Sequence, residues 1–323
     1  MNLNTFKSVL IVGPGAVGSM LASNFCLSLN KGAYPFKIRL GGSKHSSCFS
    51  KKHLEEIKWN ALYLETDSNL NFYAKPEIDF IPSLEKADLV IFAVKIFDLL
   101  KASENYFSSI SSSSVILVVS NGLNAFKKIN KKINKKKLFR GLIETGCELN
   151  EPGKILQHGE AKIEISPNDS GLASRENDFE MIKFFFENAG FKVSTSKDSN
   201  LSEWKKFMAN CLINPLATLF NCENGKIVDE PILDIFFKLA SELQQLVDSE
   251  KLPIDVKSRV LEIAKNTSFN QNSMLKSFLN GTKSELEEMT GEVLRLAGNR
   301  KLHLPLNNFL FSALKIIEDK NKM

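Results

Sequence analysis

Ser8-Val-Leu-Ile-Val12-Gly13-Pro14-Gly15-Ala16-Val17-Gly18-Ser-Met-Leu-Ala-Ser-Asn-Phe-Cys-Leu-Ser-Leu29 decides the fold. Ser8 to Val12 is a short apolar run rich in β-branched residues, the composition of a buried strand. Ser19 to Leu29 repeats apolar residues at helical spacing. Between them stands Gly-x-Gly-x-x-Gly, and the order strand, glycine turn, helix marks a dinucleotide-binding unit. The three glycines do different things. Gly13 makes the tight turn, Gly15 lets the backbone approach a pyrophosphate, and Gly18 lets helix and strand pack closely. Pro14, Ala16 and Val17 complete the loop, and the helix start adds free N–H groups and the positive end of a dipole. The same residues could make a glycine-rich turn with no ligand; the correct flanks argue against that.

Working outward, Phe36 to Leu40 reads as the second strand. An NAD site places Asp or Glu at its end to accept from the ribose 2′-OH. Here Gly41-Gly42-Ser43-Lys44-His45 follow, and the next acid is Glu55. Neutral and basic groups suit a 2′-phosphate, so NADP(H) is the expected cofactor, with Ser43 and Lys44 beside it. Asp88 to Val94 is a further strand, ending in Lys95; Val115 to Val119 is the next, ending in Ser120-Asn121-Gly122. Ligands of open α/β sheets bind at such carboxyl ends, so Lys95 and Asn121 join the cofactor candidates. Taken singly they could be a surface lysine and an Asn-Gly turn. Leu138 to Ile143 is another strand. Lys154 to His158 and Ala161 to Ile165 flank Gly159 and read as a hairpin. Asp178 to Asn188 reads as a helix and Phe191 to Thr195 as a strand. From Lys197 the pattern is helical to the end, with helices expected over 255–266, 273–279, 284–298 and 307–320. The fold class is therefore α/β: an N-terminal Rossmann-type doubly wound dinucleotide-binding domain over residues 1–196, then an all-α domain over 197–323.

A chain of 323 residues with 43% hydrophobic and 24% charged residues is long enough for two cores, and its net charge of +5 is mild. Seven lysines fall within Lys127 to Lys137; with no stacking aromatics beside them they read as a solvated helix and loop, so no nucleic-acid partner is expected. No apolar run reaches the roughly 18 residues of a membrane span. Gly13 and Pro14 cut short the first apolar run, so no signal peptide is expected. The five cysteines, Cys26, Cys48, Cys147, Cys211 and Cys222, form no C-x-x-C pair and suggest reduced thiols in a cytoplasmic protein. The histidines lack metal-ligand spacing, so no metal is expected.

Trp204-Lys-Lys-Phe-Met-Ala-Asn-Cys-Leu-Ile-Asn214 reads as helix. Lys206, Asn210 and Asn214, at i, i+4 and i+8, stack along one side, while Lys205 points elsewhere. An ammonium and two amides flanked by Phe207, Met208, Cys211, Leu212 and Ile213 need partners or a function. Alone, this could be a solvated stripe on a surface helix.

Taken together, these stretches resemble the ketopantoate reductase family (2-dehydropantoate 2-reductase) over nearly the whole chain. The glycine fingerprint opens the match. Val94-Lys95 and Asn121-Gly122 are similar to the family's two short cofactor motifs. Trp204 to Leu216, continuing through Asn221-Cys-Glu-Asn-Gly225, is similar to its signature helix and loop. Ser273-Met274-Leu275 and Ser284-Glu285-Leu286 match near the end. The resemblance implies that Lys206 is the general acid protonating the substrate carbonyl, and that Asn210, Asn214 and Asn224 bind substrate. It implies that Ser273 helps hold the substrate carboxylate. Glu285 is implied near the cofactor ribose and the lysine, and Cys147 at a backbone contact to the cofactor. The chain departs from the family where Gly42, Ser43 or Lys44 replaces a frequent Arg, and where Glu164-Ile165-Ser166 replaces a frequent Ile-Gly.

The chemistry agrees with this resemblance. Reducing a 2-oxo acid needs hydride at C2 and a proton on the oxygen, where negative charge develops, so a cation or acid aimed there stabilises the transition state. The expected function is NADPH-dependent reduction of ketopantoate, by a monomer or homodimer. The alternatives are a related reductase of another branched 2-oxo or imino acid, and a non-catalytic NADP-binding redox-sensing module.

Overall fold

The computed structural model describes residues 6–32, 35–42, 48–68, 71–79, 84–123, 125–133, 137–167, 176–196 and 198–320. The expected cofactor residues Ser43 and Lys44 lie outside them. The chain divides into two compact units, Met1–Lys197 and Asp198–Met323.

The first unit begins β1 (Ser8–Val12), α1 (Ala16–Asn30), β2 (Lys37–Gly41), α2 (Cys48–Asn60), β3 (Leu62–Thr66), β4 (Asn71–Ala74) and β5 (Glu77–Asp79). It continues β6 (Ala87–Phe92), α3 (Leu99–Asn105), β7 (Ile110–Val118), α4 (Ala125–Ile133) and β8 (Leu138–Ile143). It closes with β9 (Gly146–Glu151), β10 (Lys154–His158), β11 (Lys162–Pro167), α5 (Glu176–Asn188) and β12 (Lys192–Ser194). Among the described residues the main sheet has the order β12-β11-β8-β7-β6-β1-β2-β5. Its strands from β8 to β5 pair in parallel, β11 pairs antiparallel with β8, and β12 parallel with β11. Taken in chain order, the parallel strands lie 3-2-1-4-5-6, the doubly wound arrangement whose switch point lies between β1 and β6. Val9, Ile11, Leu40, Leu89 and Leu117 of these strands pack with Phe25 of α1 and Phe185 and Phe186 of α5 in one buried cluster. Parallel strands covered on both faces must be apolar throughout, which is why they were legible as continuous hydrophobic runs.

The expected hairpin around Gly159 is not formed. β10 pairs instead antiparallel with β9 and parallel with β3, in a second sheet of order β4-β3-β10-β9, while β11 belongs to the main sheet. The hairpin turn is Pro152-Gly153, with Glu151 opposite Lys154 and Gly153 at φ +80°. Proline followed by a glycine at positive φ is the chemistry of a tight two-residue turn. At Gly159 the chain changes sheets, and the Asp67 carboxylate fixes it there by accepting from the Gly159 N–H at 2.9 Å. The lysine-rich run forms α4, with Phe126, Ile129 and Ile133 buried and Lys127, Lys128, Lys131 and Lys132 exposed, a solvated amphipathic helix.

The second unit is helical: α6 (Ser199–Leu219), α7 (Ile232–Ser249), α8 (Val256–Asn266), α9 (Ser273–Leu279), α10 (Glu292–Asn299) and α11 (Pro305–Lys320). The expected helix over 284–298 is interrupted by a π-helical turn at Glu287–Gly291, where the Gly291 N–H reaches back to the Leu286 carbonyl at 3.1 Å. α6 starts at Asp198, whose carboxylate accepts from the Leu201 N–H at 2.9 Å. It ends at Asn221 (φ +48°), with the Cys222 N–H bonded to the Ala217 carbonyl, the left-handed stop that asparagine tolerates. No helix among the described residues is long and apolar enough to cross a membrane.

Candidate active site

In the first unit the glycine loop is built as its spacing demands. Gly13 holds φ +115°, and a Cβ there would lie 2.7 Å from the Ala93 carbonyl oxygen. A Cβ on Gly18 would overlap the Gly13 carbonyl oxygen, so α1 can approach β1 only with glycine at that point. Around a Cβ on Gly15, in contrast, nothing among the described residues lies within 4 Å. That space faces a helix start with no side-chain cap and no acid in its first turn. The N–H groups of Ala16, Val17 and Gly18 have no carbonyl partner earlier in the helix. A cradle of donors, open at the one glycine where a phosphate must approach, fits the pyrophosphate of a dinucleotide.

Lys95 and Asn121 are brought to the same sheet edge. The Ala93 N–H donates to the Val12 carbonyl at 2.8 Å, and the Ser120 hydroxyl donates to the Val94 carbonyl at 2.6 Å. These bonds tie the loops after β1, β6 and β7 together; Lys95 and Asn121 are both half-buried there. Cys147 lies elsewhere, in β9 of the smaller sheet, partly buried against the core beneath α1.

Two supports of this edge were missed in the sequence. His53 of α2 is fully buried; its Nε2 is 2.8 Å from the Ser19 hydroxyl in the first turn of α1, and its Nδ1 accepts from the Gly153 N–H at 2.8 Å. An accepting Nδ1 puts the ring proton on Nε2, directed at Ser19. Burial pushes the His53 pKa down to about 4, so the ring is neutral at pH 7. The second support lies under the end of β2. Tyr106 donates to the Gly42 carbonyl at 2.6 Å, and its ring fills the place of a Gly41 side chain. Arg39, 1% exposed, donates to Asp79 at 3.0 Å and to the Glu85 carbonyl at 2.9 Å. The acid absent from the chain after β2 is therefore present in space: Asp79, on β5, stands opposite Gly41. Burial raises its pKa above the usual carboxylate value, partly opposed by the Arg39 charge.

In the second unit Lys206, Asn210 and Asn214 fall within α6, which carries them in line. Lys206 and Asn210 are half-buried and Asn214 is buried; the Asn214 amide donates to the Met289 sulfur at 3.8 Å, beside the π-turn. Such single-turn widenings recur at functional sites. Trp204 and Phe207, buried on the same helix, pack edge to face with ring centres 6.0 Å apart. Asn224 is buried and tied on both sides: it donates to the Thr267 hydroxyl and accepts from the Asn272 amide, each at 3.2 Å. Asn272 also caps α9, accepting from the Met274 and Leu275 N–H groups at 3.1 and 3.0 Å. Ser273, the first residue of α9, is exposed. Glu285 is buried, 6% exposed, and its carbonyl accepts from the Met289 N–H. The adjoining Ser284 is fixed by Glu318, which accepts from its N–H at 2.8 Å and its hydroxyl at 2.7 Å. Thr267, Asn272, Met289 and Glu318 carry no sequence signal of their own; only the three-dimensional contacts reveal them.

Comparison with known proteins follows the same outline. Residues 9–170 match the family model for ketopantoate reductase PanE/ApbA, and residues 198–318 match the model for its C-terminal part. The 2-dehydropantoate 2-reductase of Pyrococcus horikoshii is 27% identical over 317 residues, covering 96% of this chain and 97% of the relative. That of Vibrio cholerae is 20% identical over 314 residues, covering 96% and 98%. Among solved structures, the PanE/ApbA family ketopantoate reductase of Ralstonia eutropha JMP134 shares the fold with a TM-score of 0.83 at 23% identity, covering 98% of this chain and 100% of the other. A D-mandelate dehydrogenase with NADH and anilino(oxo)acetate gives 0.84 at 19% identity, with coverage of 98% and 100%. With one family model covering about half of its length and a second covering most of the remainder, the chain belongs to the ketopantoate reductase PanE/ApbA family of oxidoreductases.

Proposed function

We propose that this protein reduces ketopantoate (2-dehydropantoate) to (R)-pantoate with NADPH. The observation that carries the reading is the line of one ammonium and two amides on α6, Lys206, Asn210 and Asn214, in a chain whose glycine cradle is open at Gly15. Ala16, Val17 and Gly18 would hold the pyrophosphate through their N–H groups, with Lys95 and Asn121 nearer the nicotinamide end. When bound, the nicotinamide cofactor supplies the hydride that C2 of the substrate accepts. Lys206 donates the proton to the carbonyl oxygen and meets the negative charge that develops there. Glu285 orients that ammonium. Asn210, Asn214 and Asn224 hold the hydroxyl and carbonyl groups without adding charge, and the Ser273 hydroxyl receives the carboxylate. Relatives named 2-dehydropantoate 2-reductase across most of the chain support the substrate, and neutral residues at the end of β2 support NADPH.

The test is NADPH oxidation measured against ketopantoate, 2-oxoisovalerate, pyruvate and an aryl 2-oxo acid. The aryl arm is included because a D-mandelate dehydrogenase shares the fold. The largest kcat/KM is expected for ketopantoate. A larger value for any of the other three would reassign the substrate, and no turnover with any of them, despite tight NADPH binding, would favour a redox-sensing module.

A further inference from the structure

We propose that Arg39 is a positioning residue for cofactor choice: its buried guanidinium holds the Asp79 carboxylate in an internal ion pair and so withholds it from the adenosine ribose. The inference rests on the reading of the glycine loop as a nicotinamide dinucleotide site. β2 and β5 run in parallel with Gly41 opposite Asp79, so Asp79 stands at the carboxyl end of both strands. That is the end at which a doubly wound sheet receives the ribose, and where a carboxylate selects a free 2′-OH over a 2′-phosphate. Among the described residues of β2 and β5, Asp79 is the acid at that end. Glu77 stands at the other, paired with Lys37 at 2.9 Å.

The pair is costly to build. Arg39 is 1% exposed, the Asp79 side chain is 15% exposed, and the Arg39 Nε–H has no acceptor among the described residues. Buried ion pairs of this kind commonly add less stability than apolar side chains of similar volume. Stability alone gives little reason for an arginine in the middle of a strand whose neighbours are Ile38 and Leu40. Selectivity gives one. A carboxylate whose charge is compensated, with one oxygen bonded to a guanidinium, repels a 2′-phosphate far less, whereas an uncompensated one disfavours the phosphate and turns freely to a 2′-OH. Tyr106, bonded to the Gly42 carbonyl, holds the strand end in place whichever way the carboxylate turns.

The experiment measures Kd for NADPH and NADH by fluorescence titration and compares their ratio among variants. Arg39→Gln removes the charge but keeps donors for Asp79 and the Glu85 carbonyl; the ratio should shift toward NADH by on the order of tenfold. Arg39→Lys keeps a cation and should restore the wild-type ratio. Arg39→Gln combined with Asp79→Asn leaves a neutral amide pair and should also return the ratio to within about twofold of wild type. An unchanged ratio in folded Arg39→Gln overturns the proposal. So does a double variant that keeps the shift, because Arg39 would then be selecting the phosphate by its own charge. If Arg39→Gln does not fold, a double variant whose ratio has moved toward NADH still overturns the proposal. A wild-type protein that binds NADH as tightly as NADPH sinks the NADPH reading yet leaves the comparison between variants intact. Binding of neither cofactor overturns both.

Discussion

Acidification should loosen the first unit through a single ring. His53 is buried with no charge partner among the described residues, bonded through both nitrogens, and its pKa lies at about 4 against an ordinary value of 6.5. A base whose folded pKa is depressed binds fewer protons folded than unfolded. Its contribution is therefore fully present above the unfolded pKa and is lost as the pH falls from about 6.5 toward 4. At 1.36 kcal/mol per pH unit, the gap corresponds to about 3 kcal/mol in all, of which about 2 kcal/mol is lost by pH 5. A protonated Nδ1 cannot accept from the Gly153 N–H, so α2, the β9–β10 turn and the first turn of α1 lose their common tie. The assay is urea denaturation of the wild type and of His53→Gln at pH 7, 6, 5 and 4.5, with the ring followed directly by NMR. Glutamine retains one donor and one acceptor but does not titrate. The wild type should lose about 2 kcal/mol relative to the variant between pH 7 and 5. Parallel stability curves, or a His53 ring that titrates near 6.5, would refute the reasoning.

Lys206→Ala should cut turnover on the order of a hundredfold to ten-thousandfold with NADPH affinity little changed, while Lys205→Ala, off the Asn210–Asn214 line, should matter little in steady-state kinetics. In Gly15→Val the new Cβ meets no atom of the described residues within 4 Å, so the melting temperature should hold while cofactor affinity falls by on the order of a hundredfold in titration. Asn272→Ala removes the cap of α9 and should cost about 1 kcal/mol in denaturation. Asn272→Asp keeps the cap but loses the donor to Asn224, so stability should hold while the substrate KM rises; an unchanged KM would make Asn224 a purely structural amide.

The sequence was most legible where one residue type alone satisfies the geometry. Gly13, Gly15 and Gly18 announced the loop because turn, approach and packing each exclude a side chain. Lys206, Asn210 and Asn214 were legible as a face because helical spacing is fixed. Legibility failed where partners come from distant sequence. β3 pairs with β10 some 90 residues later, and nothing local in either announces the second sheet. After Leu40 the chain holds no acid before Glu55, and the acid beside β2 arrives laterally from β5. The hairpin went astray because two glycines, Gly153 and Gly159, both offered a turn, and their pairing depended on Gly146–Glu151, a strand with mixed polarity. α7 is a different matter: Phe236, Leu239, Ala240, Leu243, Leu246 and Val247 repeat at helical spacing and are buried, a signal the local sequence carries in full.

Among the described residues the main sheet ends on both sides in strands of three residues, β5 and β12. An exposed strand edge is a template onto which another chain can hydrogen-bond. Here each template is about 10 Å long at roughly 3.3 Å per residue, too short to register a guest strand firmly. Each is also bordered by opposite charges, Glu77 with Lys37 and Lys192 with Glu160. A hydrophobic parallel sheet, the kind of core most prone to aggregate when its margins lie open, is in this way guarded at both margins against growth into fibrils.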